Sequence, residues 1–185
     1  MDDVQAIRCL KRGDIGGLET LVIRYQVQAI ETAFLVTQDE AAAQDVVQDV
    51  FIHIYQGIQR FDEGRPFKPY LLRSVVHAAL DAVEKRARWV PYASDQETEE
   101  LGWMITRAAS VENEVEFAQM IQEIQSALVK LPVRQRAVLV QRYYLDMSEK
   151  EMAVSMEAAP GTIKWLLYTA RTRLRTLLGP ERRSE

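Results

Sequence analysis

Residues Ser148 to Leu174 read "SEKEMAVSMEAAPGTIKWLLYTARTRL", and the punctuation of this stretch decides the fold. "SEKE", Ser148–Glu151, is a capping box: the Ser148 hydroxyl accepts from the backbone N–H of Glu151, and the Glu151 carboxylate reaches back. A helix of two turns follows, then a tight turn over Glu157–Ala159. Pro160, pre-set for the first helical position, opens a longer helix. A short helix, a turn of a few residues and a long cationic helix make a helix-turn-helix. Two-helix corners of plain bundles share that outline, so the faces of the second helix have to be read.

On a wheel of about 100° per residue, Ile163, Leu166, Leu167, Ala170, Leu174, Leu177 and Leu178 fall near one line and form the core stripe. Trp165, Tyr168, Thr172 and Thr176 lie opposite, flanked by Lys164, Arg171 and Arg175. An outward Trp–Tyr–Thr strip edged by cations suits a major groove, where rings and Thr methyls meet thymine methyls and cations meet phosphates or guanine. The alternative is that Trp165 packs against another helix or a partner chain.

Working outward, apolar residues recur at helical spacing throughout and no strand array is visible, so the class is all-α. Helices are expected over about Asp3–Arg12, Gly16–Thr37, Glu40–Arg60 with Asp39 as N-cap, and Lys68–Ala87. The third carries Ala43, Val46, Val47, Val50, Phe51, Ile54 and Ile58 inward. "FDEGRPF", Phe61–Phe67, is a turn on Gly64 and Pro66. "VPYASDQETEELG", Val90–Gly102, is acidic and aperiodic and reads as part of a linker. Helices resume near Val111–Leu131, Val133–Leu145, Glu149–Met156 and Pro160–Leu178. The expected organisation is two small bundles, residues 1–89 and 113–185, joined by an acidic tether over 90–112.

The chain has 185 residues and a net charge of −4, which on its face argues against nucleic acid. Residues 1–64 are net −6, 65–92 net +4, 93–130 net −6 and 131–183 net +5. Two basic segments therefore alternate with two acidic ones and offer two polyanion-binding surfaces. No apolar run is long enough for a membrane span, and the acidic N-terminus is not read as a signal peptide. The single Cys9 is read as a small core residue and suits the reducing cytoplasm. Two distant histidines, His53 and His77, with one cysteine and no Gly-rich phosphate loop, give no metal, cofactor or catalytic site. An enzyme is not expected.

These residues resemble a family, the bacterial RNA polymerase sigma factors of the extracytoplasmic-function (ECF) type. "LPVRQRAVLVQRYYLDMSEKEMA" followed by "GTIKWLLYTARTRLRTLL" is similar to sigma region 4, which binds the promoter −35 element. "AAAQDVVQDVFIHIYQGIQRFD" is similar to region 2.2, and "FKPYLLRSVVHAALDAVEKRAR" to regions 2.3–2.4. The resemblance implies core RNA polymerase and promoter DNA as partners, with an anti-sigma protein as a further one, and no membrane insertion. It implies a polymerase-binding set of Asp45, Val46, Gln48 and Asp49. It implies −10 contacts from Arg65, Lys68, Arg73, His77, Lys85 and Arg86, with Phe67, Tyr70 and Trp89 as aromatic surfaces. Phe67 is the one expected in the core. The −35 element it implies would then meet the outward face of the last helix, with Thr162, Lys164, Trp165, Tyr168, Arg171, Thr172 and Arg175 as the candidate contacts.

The sequence departs from the family pattern in places that matter. Tyr70 stands where Trp is usual, and His77 where Asn is usual. Glu157 replaces a turn Gly, at a cost of about 1 kcal/mol if φ is positive there. Ala159 replaces a capping Ser, losing about another 1 kcal/mol. Trp165, Leu166 and Thr169 stand where members often carry Ser-Arg and Arg. That substitution motivates the alternative of a sigma-like adaptor that binds polymerase or an anti-sigma protein without reading DNA. A helix-turn-helix regulator acting without polymerase is a third reading.

Overall fold

The computed structural model describes residues 1–89 and 114–179. Among these residues the regular structure is helical, and the chain divides into two compact units, Met1–Lys85 and Arg86–Glu185. The expected tether at 90–112 lies outside the described residues.

The N-terminal unit is built from α1 (Asp3–Lys11), α2 (Gly16–Thr37), α3 (Glu40–Gly57) and α4 (Phe67–Trp89) as far as Lys85, with a 3₁₀ turn at Ile58–Arg60. Asp2 starts α1 with a capping box on Gln5, and Asp39 starts α3 by accepting from the Ala42 N–H at 3.0 Å. α2 packs against both α1 and α3. Gly17 allows the α1–α2 crossing, because a Cβ there would collide with the Ala6 carbonyl oxygen. All seven apolar residues expected to face inward from the third helix are buried, six on α3 and Ile58 in the 3₁₀ turn that ends it. Burying each Val, Ile or Phe among them contributes about 1.5–3 kcal/mol, which decides which face of α3 is left for solvent.

The C-terminal unit comprises α5 (Glu114–Val129), α6 (Val133–Leu139), α7 (Glu149–Ser155) and α8 (Pro160–Leu178). α6 runs on into a π turn over Val140–Tyr144, closed by Leu145 N–H donating to the Val140 carbonyl at 3.1 Å. α8 packs on α5, α6 and α7. Its core stripe holds for Ile163, Leu166, Leu167 and Ala170, which are buried. It weakens further along, where Leu174 and Leu178 are half-buried and Leu177 is 36% exposed. There a cleft of about 580 Å³ opens between Leu177, Leu178 and α5 residues such as Ser126 and Lys130.

Candidate nucleic-acid and polymerase interfaces

In the C-terminal unit the turn between α7 and α8 fixes how α8 is presented. Ser148 and Glu151 form the expected capping box: the Ser148 hydroxyl accepts from Glu151 N–H at 3.3 Å, and the carboxylate accepts from Ser148 N–H at 2.9 Å. α7 ends in a Schellman motif. Ala158 N–H donates to the Ala153 carbonyl at 2.9 Å, and Glu157 N–H to the Val154 carbonyl at 3.3 Å. That motif needs a left-handed residue, and Glu157 supplies it at φ 48°. Ala159 caps α8 with its backbone only, and Pro160 takes the first helical position. The costs expected at Glu157 and Ala159 therefore correspond to observed geometry.

On α8, Trp165 is 60% and Tyr168 70% exposed, so neither ring packs within this unit's core. Thr162, Lys164, Arg171, Thr172 and Arg175 are exposed with them. Arg173 is exposed too and was missed by the sequence reading; it lies about 80° from Trp165 on the edge opposite Lys164, Arg171 and Arg175. Its signal was there, since a groove-bound helix meets a phosphate backbone on each side. The helix carries cations at 164, 171, 173 and 175 and no acid.

Arg136, part of the same basic block, does not join this surface. It is buried, and its Nη1 lies 3.3 and 3.5 Å from the carbonyls of Leu128 and Val129 at the C-terminus of α5. Burial pushes its pKa down to about 10, so it remains charged at neutral pH and completes the last turn of α5.

In the N-terminal unit, α3 leaves Asp45, Gln48 and Asp49 exposed on one face. Val46, included with them in the polymerase-binding set, is instead only 6% exposed and belongs to the core. Its spacing places it on the inward stripe, about 100° round from Asp45, so it supports the face from beneath. Ile52, seven residues on from Asp45, extends the same face and is 43% exposed. The sequence reading did not include it, although the i, i+7 spacing marks it.

The loop between α3 and α4 is pinned from α1. Lys11 donates to the Phe61 carbonyl at 2.8 Å and pairs with Glu63 at 3.2 Å, while Arg8 pairs with Glu63 at 2.9 Å. The Arg8 and Lys11 hydrogen bonds hold the Glu63 carboxyl below its ordinary pKa. Behind the loop Tyr25, Phe61, Phe67 and Tyr70 form an aromatic cluster with centroids 5.0–6.5 Å apart. Phe67 is buried, as expected, whereas Tyr70 is exposed and leans on Phe61. Tyr25 donates to Asp3 at 2.6 Å, and Asp3 also pairs with Arg24.

Arg65, Lys68, His77, Lys85 and Arg86 are exposed, and Arg73 is half-buried. The wheel of α4 groups Tyr70, Arg73, His77 and Arg88 on its outward side. Lys68 and Arg86 instead sit in line with the core stripe, solvated because they lie at its ends. Asp81 shares the outward side, 3.6 Å from His77 Nδ1, so the cationic line is interrupted. The Trp89 side chain lies outside the described residues. Cys9 is half-buried at the edge of the α1 core, and His53 is exposed.

Among the described residues, no three His, Cys, Asp or Glu side chains cluster as metal ligands. No described helix is long and apolar enough to cross a membrane.

Comparison with known proteins matches residues 21–89 to Sigma-70 region 2 and residues 121–174 to Sigma-70 region 4. The chain is 30% identical over 177 residues to the ECF RNA polymerase sigma factor SigM of Mycobacterium tuberculosis, covering 96% of this chain and 85% of that one. It is 26% identical over 178 residues to SigW of Bacillus subtilis, covering 93% and 94%. Among solved structures, the fold is similar to RpoE of Bartonella quintana, solved with the anti-sigma factor NepR. That likeness has a TM-score of 0.65 at 21% identity and covers 86% of this chain and 95% of that one. It is also similar to CnrH, solved with the cytosolic domain of CnrY, at TM-score 0.60 and 22% identity, covering 95% and 96%. The chain belongs to the ECF RNA polymerase sigma factors, initiation factors that direct polymerase to promoters.

Proposed function

We propose that this sigma factor divides its work between the two units. The N-terminal unit docks on core RNA polymerase through Asp45, Gln48 and Asp49 of α3, with Ile52 as an apolar anchor beside them. An acidic, partly apolar helix face complements a basic partner helix. The same unit takes the −10 element along α4 and the Phe61–Phe67 loop. There Arg65, Lys68, Arg73, His77, Lys85 and Arg86 follow the strand, and Tyr70 offers a ring for a base. α8 reads the −35 element with Thr162, Lys164, Trp165, Tyr168, Arg171, Thr172 and Arg175. The protein works in the cytoplasm by binding alone, with no reaction of its own. By likeness to RpoE, solved with the anti-sigma factor NepR, an anti-sigma protein is a further partner.

The observation that carries this reading is α8 itself: an acid-free helix whose two largest side chains point away from its core. Run-off transcription with core polymerase on a promoter mapped from overexpression tests it. The intact chain yields a specific transcript, and charge reversal at Asp45 and Asp49 abolishes both core binding and transcript. Core binding with no transcript from any mapped promoter would instead establish the adaptor.

A further inference from the structure

The outward face of α8 departs from a hydrogen-bonding reader of bases. The helix holds no Asn, Gln, Asp or Glu, so the carboxamide pairing with adenine and the carboxylate pairing with cytosine are absent. Two of the threonines on its outward face, Thr172 and Thr176, have committed their hydroxyl protons to the helix backbone. Thr172 donates its hydroxyl to the Tyr168 carbonyl at 3.0 Å, and Thr176 donates to the Thr172 carbonyl at 3.1 Å. With those protons committed to the helix, the centre of the face is indole, phenol ring and methyl. The cations stand at its edges: Lys164, Arg171 and Arg175 lie about 80–120° to one side of Trp165, and Arg173 about 80° to the other.

An apolar centre between two cationic edges has one complement in duplex DNA. Phosphate backbones run on both sides of the major groove, and the apolar group on its floor is the thymine C5-methyl, which no other base carries there. Trp165 and Tyr168 are the sixth and ninth residues of α8, in the N-terminal half that a recognition helix points at base edges. We infer that this sigma factor selects its −35 element by apolar contact of Trp165 and Tyr168 with thymine methyls, the arginines and Lys164 holding the backbones. The inference rests on α8 being the −35 reader and names what it reads.

The test removes the methyl and leaves the protein unchanged. Duplexes carry the −35 element of a mapped promoter with its thymines intact or all replaced by uracil, and each is titrated with holoenzyme. Uracil should weaken binding by about fourfold per contacted methyl. With Trp165→Ala and Tyr168→Ala together, the two duplexes should bind alike. Equal binding of both duplexes by the unmodified chain, while Arg171→Ala still weakens each, overturns methyl reading and leaves α8 on the DNA. If Lys164→Ala and Arg171→Ala also change nothing, the assignment of α8 to the −35 element fails as well.

Discussion

The Lys11 ammonium donates to the Phe61 carbonyl at 2.8 Å although fifty residues of chain separate them. This bond, with the Lys11–Glu63 and Arg8–Glu63 pairs, ties the loop that precedes α4 to the first helix. A charge-assisted bond to a carbonyl is stronger than a neutral one, and partial exposure reduces its worth. Lys11→Met should therefore cost about 1 kcal/mol in chemical denaturation. It should also slow strand opening at the −10 element without weakening binding to an isolated −35 duplex. Unaltered opening kinetics would separate the clamp from −10 capture.

The same clamp makes an acid-sensitive contribution. The Arg8 hydrogen bond first, and the Lys11 bond second, hold the Glu63 carboxyl below its ordinary value of 4.5. A carboxylate whose folded-state pKa is depressed stabilises the fold fully above its unfolded value. That contribution is lost as pH falls below 4.5 and through the folded value. Glu63→Gln should thus leave a shallower fall of stability with acid in that window. An identical acid limb for the two chains would show that the ion pairs do not couple to folding.

The turn before α8 holds two correctable local costs. Glu157 occupies the left-handed position of the Schellman motif at φ 48°, where a side chain costs energy that glycine does not. Ala159 offers the start of α8 no side-chain acceptor. Glu157→Gly should stabilise the protein by about 0.5–1 kcal/mol and Ala159→Ser by about 1 kcal/mol. Glu157→Val, branched at a left-handed site, should destabilise it. Thermal unfolding of the three variants checks the ordering, and a destabilised Glu157→Gly would contradict the strain.

Arg136 ties α5 to α6 by bonding the carbonyls of Leu128 and Val129. Truncation would leave the buried Leu128 carbonyl without this donor and a void where the guanidinium packed. Arg136→Ala should cost about 3 kcal/mol. Hydrogen exchange should quicken at the C-terminal end of α5 before it changes elsewhere in the C-terminal unit. Uniform protection across both proteins would move the anchor of α5 elsewhere.

What could be read before the structure was whatever has a short period or a local signal. All seven core positions expected of the third helix follow from 3.6-residue spacing, and the Ser148–Glu151 box from four consecutive residues. The outward direction of Trp165 came from the same wheel. Contacts across long sequence separations carry no such signal. Lys11 and Glu63 drew no reading from the sequence, because nothing local shows that α1 passes the α3–α4 loop. Arg136 counted toward a basic patch, since its burial depends on where α5 ends. Leu177 had the right period but borders the open cleft against α5, so periodicity overstated its burial.

The cationic edges of α8 make a claim that salt can test separately from base identity. Each phosphate neutralised by a lysine or arginine releases counterion, so binding weakens with salt in proportion to the contacts made. Lys164 and Arg171 stand on one edge of the face and Arg173 on the other, all exposed. Lys164→Ala, Arg171→Ala and Arg173→Ala should each reduce the slope of log affinity against log salt by about one. Trp165→Ala should lower affinity while leaving that slope in place, because an indole neutralises no phosphate. Arg173 is the discriminating case. An altered slope there requires both backbones to be gripped at once, as in a groove-bound helix. An unchanged slope at Arg173, with the others reduced, would have α8 lying along a single strand.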